Sequence, residues 1–339
     1  MENISVIGID IAKTSFELCG GTRRGRILLR KKLSRGEVLG FLSNFKRCLI
    51  FMEACGGASY WGREFRKLGH EVKLIAPQFV KPYRKSNKHD RADAEATMEA
   101  GLRPTMRFVS VKSIDQQDLQ SMHRVRERSI KHRTAIANEI RGLLMEYGVV
   151  IPKGISHVRS GLWEIIDKHG KQLTESIIAL VRVLLEEFHS VDARVKKFDK
   201  QLEAIAENHP VCQLVMKREG VGPIIATAVI SYIGDPSMFR RGRDLSAYLG
   251  LVPKQNSTGG KQKLGGISKR GDKYLRQLLI HGARSVLAAL KGKTDSQSVW
   301  LRALKERRGF NKACVALANK NARVIWALMA HGEEYRKAA

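Results

Sequence analysis

Cysteine is scarce in this sequence, and the few that occur do not cluster. The five residues Cys19, Cys48, Cys55, Cys212 and Cys314 lie far apart and form no CxxC pair. Such spacing fits neither a zinc ribbon nor a disulfide framework, so a reducing, cytoplasmic setting is expected. Acidic residues are outnumbered as well: 33 Asp and Glu stand against 61 Lys and Arg, a formal net charge of +28. An excess of that size repels other copies of the chain and attracts polyanions, nucleic acid first and an anionic membrane surface second. No apolar run reaches the roughly 18 residues that a spanning helix needs. The opening MENISVIGID has no charged-then-apolar leader, so a secretory signal is not expected. GxGxxG and Walker A motifs are absent, which leaves dinucleotide and P-loop functions without support.

What is present suffices for ordinary globular cores: 339 residues, 43% of them hydrophobic. At roughly 100–200 residues per domain, two or three domains are expected. The charge divides the chain. Residues 1–110 hold 21 Lys and Arg against 11 Asp and Glu, residues 111–208 hold 16 against 14, and residues 209–339 hold 24 against 8. A nearly neutral middle between two basic flanks suggests a spacer joining two polyanion-binding modules, and these three ranges are the expected domains.

The first range alternates apolar strand-like runs with helical stretches. Strands are expected at 4–11, 15–19, 26–32, 48–53 and 72–76, with helices near 36–45 and 60–68. This β-β-β-α-β-α-β order predicts a mixed α/β sheet with an antiparallel start. In the middle range the residues Leu173, Ile177, Leu180, Leu184, Phe188, Val191, Val195, Phe198, Leu202 and Ile205 step by three and four, which predicts one apolar helical stripe. Met122, Val125, Ile136, Ile140, Leu143 and Tyr147 keep similar spacing upstream, with Pro152 and Gly154 between. Either an intramolecular helical hairpin or an intermolecular coiled coil satisfies this pattern.

Four carboxylates stand out in the first range. Asp10 follows the apolar run Val6–Ile9, and Glu53 follows Leu49–Met52. A carboxylate in such a strand is costly unless a cation meets it. The two occupy adjacent positions if their strands pair. Asp90 and Asp93, in KHDRADA, share one face of a helix at i and i+3. Hard divalent cations take oxygen ligands, and paired ions can drive phosphodiester cleavage. Taken singly, Asp90 also reads as a helix cap, Asp93 as a solvated charge and Asp10 as a strand end.

The third range carries a Gly220-Val221-Gly222 turn that suits a helix-hairpin-helix phosphate contact. Beyond it lies the glycine-rich stretch PKQNSTGGKQKLGGISKRG, with the cations Lys254, Lys261, Lys263, Lys269 and Arg270, followed by Lys273 and Arg276. Ser257 in this setting can attack a phosphodiester while the cations stabilise the developing charge. On chemistry alone, a phosphate-binding loop whose hydroxyls only donate hydrogen bonds is the favoured reading of the two. Asp244 and His281 suggest a serine-protease arrangement, but nothing in the sequence fixes them near Ser257.

These motifs carry a resemblance. GIDIAK, MEACGGASYW, KHDRADAEA, MRFVSVKSIDQQ, GVGPIIATA, GLVPKQNSTGGKQKLGGISKRGDKYLR and ALANKNARVIWALM together resemble the transposases of the insertion sequence 110 family, nearest its 1111 subgroup, the bridge-RNA-guided recombinases. The Piv-type DNA invertases are similar. The resemblance implies a RuvC or RNase H-like first domain whose DEDD quartet corresponds to Asp10, Glu53, Asp90 and Asp93, holding Mg²⁺. It implies a helical coiled-coil spacer and a mostly helical C-terminal domain with a helix-hairpin-helix-like turn. Its serine nucleophile corresponds to Ser257, with Thr258 one residue away. It further implies a covalent phosphoserine intermediate, a composite site shared between subunits of a homodimer or homotetramer, donor and target DNA as partners, a structured guide RNA, and a bacterial cytoplasmic, nucleoid-associated location. A RuvC-like nuclease using water and a non-enzymatic nucleic-acid-binding protein are the rival expectations.

Overall fold

A computed structural model describes residues 4–84 and 90–332, without the side chains of Asp90 and Arg91. The chain falls into two compact units, residues 1–115 and 116–339.

Strands β1 (Val6–Ile11), β2 (Ser15–Gly21) and β3 (Ile27–Ser34) open the first unit, followed by helix α1 (Val38–Ser43), β4 (Leu49–Glu53), α2 (Ala58–Lys67) and β5 (Glu71–Ile75). A short helix α3 (Pro77–Val80), helix α4 (Asp90–Gly101) and the two-residue strand β6 (Phe108–Val109) complete it. The sheet order is β3-β2-β1-β4-β5-β6. β1–β2 and β2–β3 pair antiparallel, β4 lies parallel to β1 and to β5, and β6 is antiparallel to β5. The antiparallel start and the expected strands are present; β6 was not expected.

Side chains of a strand alternate between faces. Ile7 and Ile9 of β1, with Ile50 and Met52 of β4, pack with Val38, Leu42, Trp61 and Phe65 on one side. Val6 and Phe51 pack with Ala94, Ala96 and Met98 of α4 on the other. Gly8 shares the α4 side, and a Cβ there would fall 2.4 Å from the Ala94 carbonyl and 2.6 Å from the Met98 nitrogen. The missing side chain lets α4 lie directly on β1.

The second unit begins with two long helices, α5 (Ile114–Met145, whose first residues fall before the boundary) and, after α6 (Ile155–Arg159) and α7 (Leu162–His169), α8 (Glu175–Asn208). The pairs Arg126–Asp199 at 2.5 Å, His132–Glu187 at 3.0 Å and Arg133–Asp192 at 2.7 Å set α5 and α8 antiparallel. Asp192 is buried, and Arg159 and Lys196 meet it as well. These cations, Arg159 foremost, hold its carboxyl well below the usual range.

Ile136, Ile140 and Leu144 of α5 share a core with Ile177, Val181, Leu185, Phe188 and Val191 of α8. The apolar stripe of α8 is thus filled within the chain, as an intramolecular hairpin fills it. One part of the expected stripe is corrected: Val181 and Leu185 point inward, while Leu180 is 56% exposed. With apolar residues at 180, 181, 184 and 185, three-and-four spacing fits two faces, and the partner α5 selects one.

Helices α9 (Pro210–Met216), α10 (Pro223–Ile233) and α11 (Gly242–Tyr248) follow, then a two-stranded hairpin of β7 (Pro253–Gln255) and β8 (Leu264–Ile267), and helices α12 (Lys273–Ala288), α13 (Ser296–Arg308) and α14 (Phe310–His331). Leu202 and Ala206 of α8 lie in one core with Val229, Leu245, Leu279, Leu317 and Ile325. No helix among the described residues is long and apolar enough to cross a membrane.

Candidate active site

Asp10 and Glu53 follow from the strand register. The parallel β1–β4 ladder runs to Ile9↔Met52, so one step further sets Asp10 beside Glu53. By alternation from Gly8 and Phe51, both belong to the face that α4 covers. Both carboxylates also raise the Cys55 thiol above its ordinary value, after the larger effect of partial enclosure of its sulfur.

On that face α4 presents Asp93, which is 4% exposed. Its helix continues through Thr97, whose hydroxyl donates to the Asp93 carbonyl at 2.8 Å. Asp90 begins the same helix one turn earlier, but its side chain, with Lys88 and His89 of the motif, lies outside the described residues.

Arg84 was not anticipated. Its Nε lies 2.7 Å from Asp93 Oδ1, and its Nη2 donates to Glu53 Oε2 at 3.4 Å. Only its position just before KHDRADA could have drawn notice. Both Arg84 Nε and Asp93 Oδ1 are buried without a hydrogen-bond partner among the described residues. Buried polar atoms left this way are costly. The donor set is all oxygen, and the buried Asp93 Oδ1 meets only the poorly aligned Arg84 ion pair, so these side chains fit a hard divalent cation by chemistry. Among the described residues no three such groups already stand close enough to hold one. Arg84 stands against two of them instead.

In the second unit, Ser257 lies beyond β7 on an exposed hairpin. The chain reverses at Gly259 and Gly260, with φ of 54° and 74°, and Lys261 N donates to the Thr258 carbonyl at 3.0 Å. Two consecutive positive φ values are what a tight hairpin turn with the right twist demands, and glycine adopts them without strain. Asn256 N donates to the Lys263 carbonyl at 2.9 Å, which fixes the loop just before Ser257. The Ser257 hydroxyl accepts from Gln255 Nε2 at 2.9 Å. Thr258 is its neighbour in an isolated bridge to Lys261.

Lys254, Lys261, Lys263, Lys269, Arg270 and Lys273 are exposed around this hairpin and the start of α12. Lys269 has φ of 55°, a left-handed value unusual for a residue with a side chain. Arg276 departs from expectation. It is 8% exposed, and its Nη1 donates to the carbonyls of Leu249 at 3.0 Å and Arg270 at 2.7 Å. Its guanidinium ties the end of α11 to the start of α12 rather than facing phosphate. Asp272, often a phosphate-repelling charge, is here an N-cap that accepts from Leu275 N at 2.7 Å.

Comparison with known proteins places these features. Residues 7–149 match the IS110-type DEDD transposase family, and residues 212–298 match the family described as Transposase IS116/IS110/IS902 family. A probable family 20 transposase of Pseudomonas aeruginosa is 48% identical over 98% of this chain and 99% of its own length. The transposase for insertion sequence element IS1111A of Coxiella burnetii is 46% identical, covering 99% of this chain and 92% of that protein. The transposase for IS1328 of Yersinia enterocolitica is 36% identical over 99% and 100%.

A mixed sheet bearing strand-end carboxylates and a helical unit with a basic hairpin thus fall within the DEDD transposases, enzymes that cleave and rejoin DNA. The chain belongs to the IS116/IS110/IS902 transposase family. Its DEDD domain type implies a divalent metal.

Proposed function

We propose that the chain cuts and rejoins DNA through a phosphoserine link at Ser257, assisted by the quartet Asp10, Glu53, Asp90 and Asp93. The observation that carries the reading is the exposed Ser257 hydroxyl on a hairpin rich in cations. Residues 253–271 contain no carboxylate at all. An exposed hydroxyl amid positive charge suits attack on a phosphate diester.

In the proposed step, Ser257 Oγ forms a bond to phosphorus. One bond from phosphorus to a deoxyribose oxygen breaks, and the serine proton ends on the released sugar hydroxyl. The reverse step rejoins DNA without an energy source, since one diester replaces another. Lys254, Lys261, Lys263, Lys269, Arg270 and Lys273 hold the flanking phosphates and the developing charge. Bound Mg²⁺ would supply charge stabilisation at the transferring phosphate. Asp10, Glu53, Asp90 and Asp93 would hold it, and the first unit, with its antiparallel start and parallel continuation, serves as an RNase H-like platform.

The carboxylates belong to one unit and Ser257 to the other. A composite centre, completed between subunits of a homodimer or homotetramer, accounts for such a division of labour. The ranges 1–110, 111–208 and 209–339 then act as carboxylate domain, helical spacer and serine domain. A guide RNA paired with donor and target DNA in the bacterial cytoplasm accords with the net charge of +28.

Paired substitutions test the reading. Ser257→Ala and Asp93→Asn should each abolish strand exchange while nucleic-acid binding stays nearly intact. Thr258→Ala should retain part of the activity. Exchange that survives Ser257→Ala, or depends on Thr258 alone, overturns the assignment of Ser257.

A further inference from the structure

A groove of about 840 Å³ opens in the second unit between α11, α13, α14 and the foot of the β7–β8 hairpin. Its lining includes Arg241, Arg243, Lys312, Lys320 and Arg323 and, among the described residues, not one carboxylate. Only Arg241 has an acidic neighbour among the described ion pairs, Asp244 at 3.6 Å, which lies outside the lining. Five cations facing one cavity repel one another unless a polyanion lies among them. Partial burial lowers the Lys320 ammonium's affinity for its proton, and Arg218 and Arg323 lower it further.

The groove is not only basic. On α14, Lys312, Ala316, Lys320, Arg323 and Ala327 recur at three- and four-residue steps, so they line one helical face. The alanines leave the floor open and apolar between the cations. Trp300 of α13 stands at the edge, 37% exposed, with Lys320 Nζ 5.1 Å from its ring centroid. Trp326 is fixed from behind, its indole N–H donating to the carbonyls of Pro236 at 3.1 Å and Phe239 at 3.2 Å. Duplex recognition through phosphates needs cations alone. Cations combined with an exposed aromatic face and an apolar floor suit a strand whose bases are unstacked.

We propose that this groove holds a single strand of DNA, its phosphates on Lys312, Lys320 and Arg323 and one unstacked base on Trp300. The location argues for DNA: Pro253 and Ile267, paired at the foot of the Ser257 hairpin, form part of the lining. A strand lying here leads straight onto the hairpin. The proposal deepens the serine reading above and rests on it for the identity of the strand.

Binding of a short fluorescent oligothymidylate to the full chain tests this, beside a duplex and an RNA oligonucleotide of equal length. Trp300→Ala should weaken single-strand binding roughly tenfold, the worth of one lost base stack, and leave duplex binding within about twofold. Trp300→Phe should recover most of the loss. Lys320→Ala with Arg323→Ala should reduce the salt slope of single-strand binding by about one to two. Equal losses on duplex and single strand, or none on either, overturn the groove as a strand site. A preference for RNA over DNA overturns the DNA assignment. Ser257→Ala should bind as the parent does, so strand exchange that survives in it, with the groove intact, speaks against the serine reading alone.

Discussion

Arg84 Nε lies 2.7 Å from Asp93 Oδ1, and neither atom has a hydrogen-bond partner among the described residues. The distance is that of an ion pair, but the N–H does not point at the oxygen. The same guanidinium reaches Glu53 at 3.4 Å. One organic cation therefore stands against two members of the carboxylate quartet and screens their mutual repulsion.

A divalent ion and Arg84 should compete for this place. Arg84→Ala is expected to lower the thermal midpoint of metal-free protein and to bind Mg²⁺ several-fold more tightly. Its midpoint should therefore rise more on adding Mg²⁺ than that of the parent. Calorimetric titration of both proteins checks this; equal affinities would show that Arg84 does not compete for the site.

Much of this arrangement was legible in the sequence. The apolar runs ending at Asp10 and Glu53 fixed two strands, and parallel pairing alone made the carboxylates neighbours. The i, i+3 spacing of Asp90 and Asp93 showed the helix that begins at Asp90. Arg84 was not legible, because it arrives from a loop whose path depends on the whole sheet. Arg276 misled for a related reason. Its neighbours in sequence are exposed cations, and only the carbonyls of Leu249 and Arg270, brought by tertiary packing, turn it inward. Lys320 and Arg323 sit in ALANKNARVIWALM, but their placement beside Trp300 required the fold. The strand β6 has two residues, too few for a period to show.

His123 sets a pH dependence of stability. It is fully buried on α5, its Nδ1 3.0 Å from the Tyr274 hydroxyl and its Nε2 3.1 Å from Thr227 Oγ1. Burial pushes its pKa down to about 4, and the charge of Arg126 adds to that. In the unfolded chain a histidine titrates near ~6.5. As pH falls below that value the unfolded chain takes up a proton that the native state refuses. Stability present above about pH 6.5 is therefore lost as pH falls toward 4, on the order of 3 kcal/mol in all. His123→Gln should be less stable at pH 7 but lose less over this window. Urea melts of both proteins between these limits check it, and parallel curves would exclude His123 as the source.

The outer face of α8 bears on assembly. Leu180 and Val183 are 56% and 63% exposed, while Phe188 is fully buried in the α5–α8 core. Leu180→Asp with Val183→Asp should leave the fold intact, since both side chains already meet solvent. If this face joins subunits, the pair should lower the mass seen by light scattering. Unchanged mass would place the subunit contact elsewhere. Phe188→Asp, in contrast, should unfold the hairpin itself by burying an unpaired charge.

The central claim is that DNA is held on Ser257 during strand exchange. A reaction quenched part-way, digested and analysed by mass spectrometry should yield a nucleotide joined to the peptide containing Ser257, and none from the Ser257→Ala variant. Cleaved DNA with no adduct on Ser257 or Thr258 would contradict the account and point to hydrolysis by water at the carboxylates.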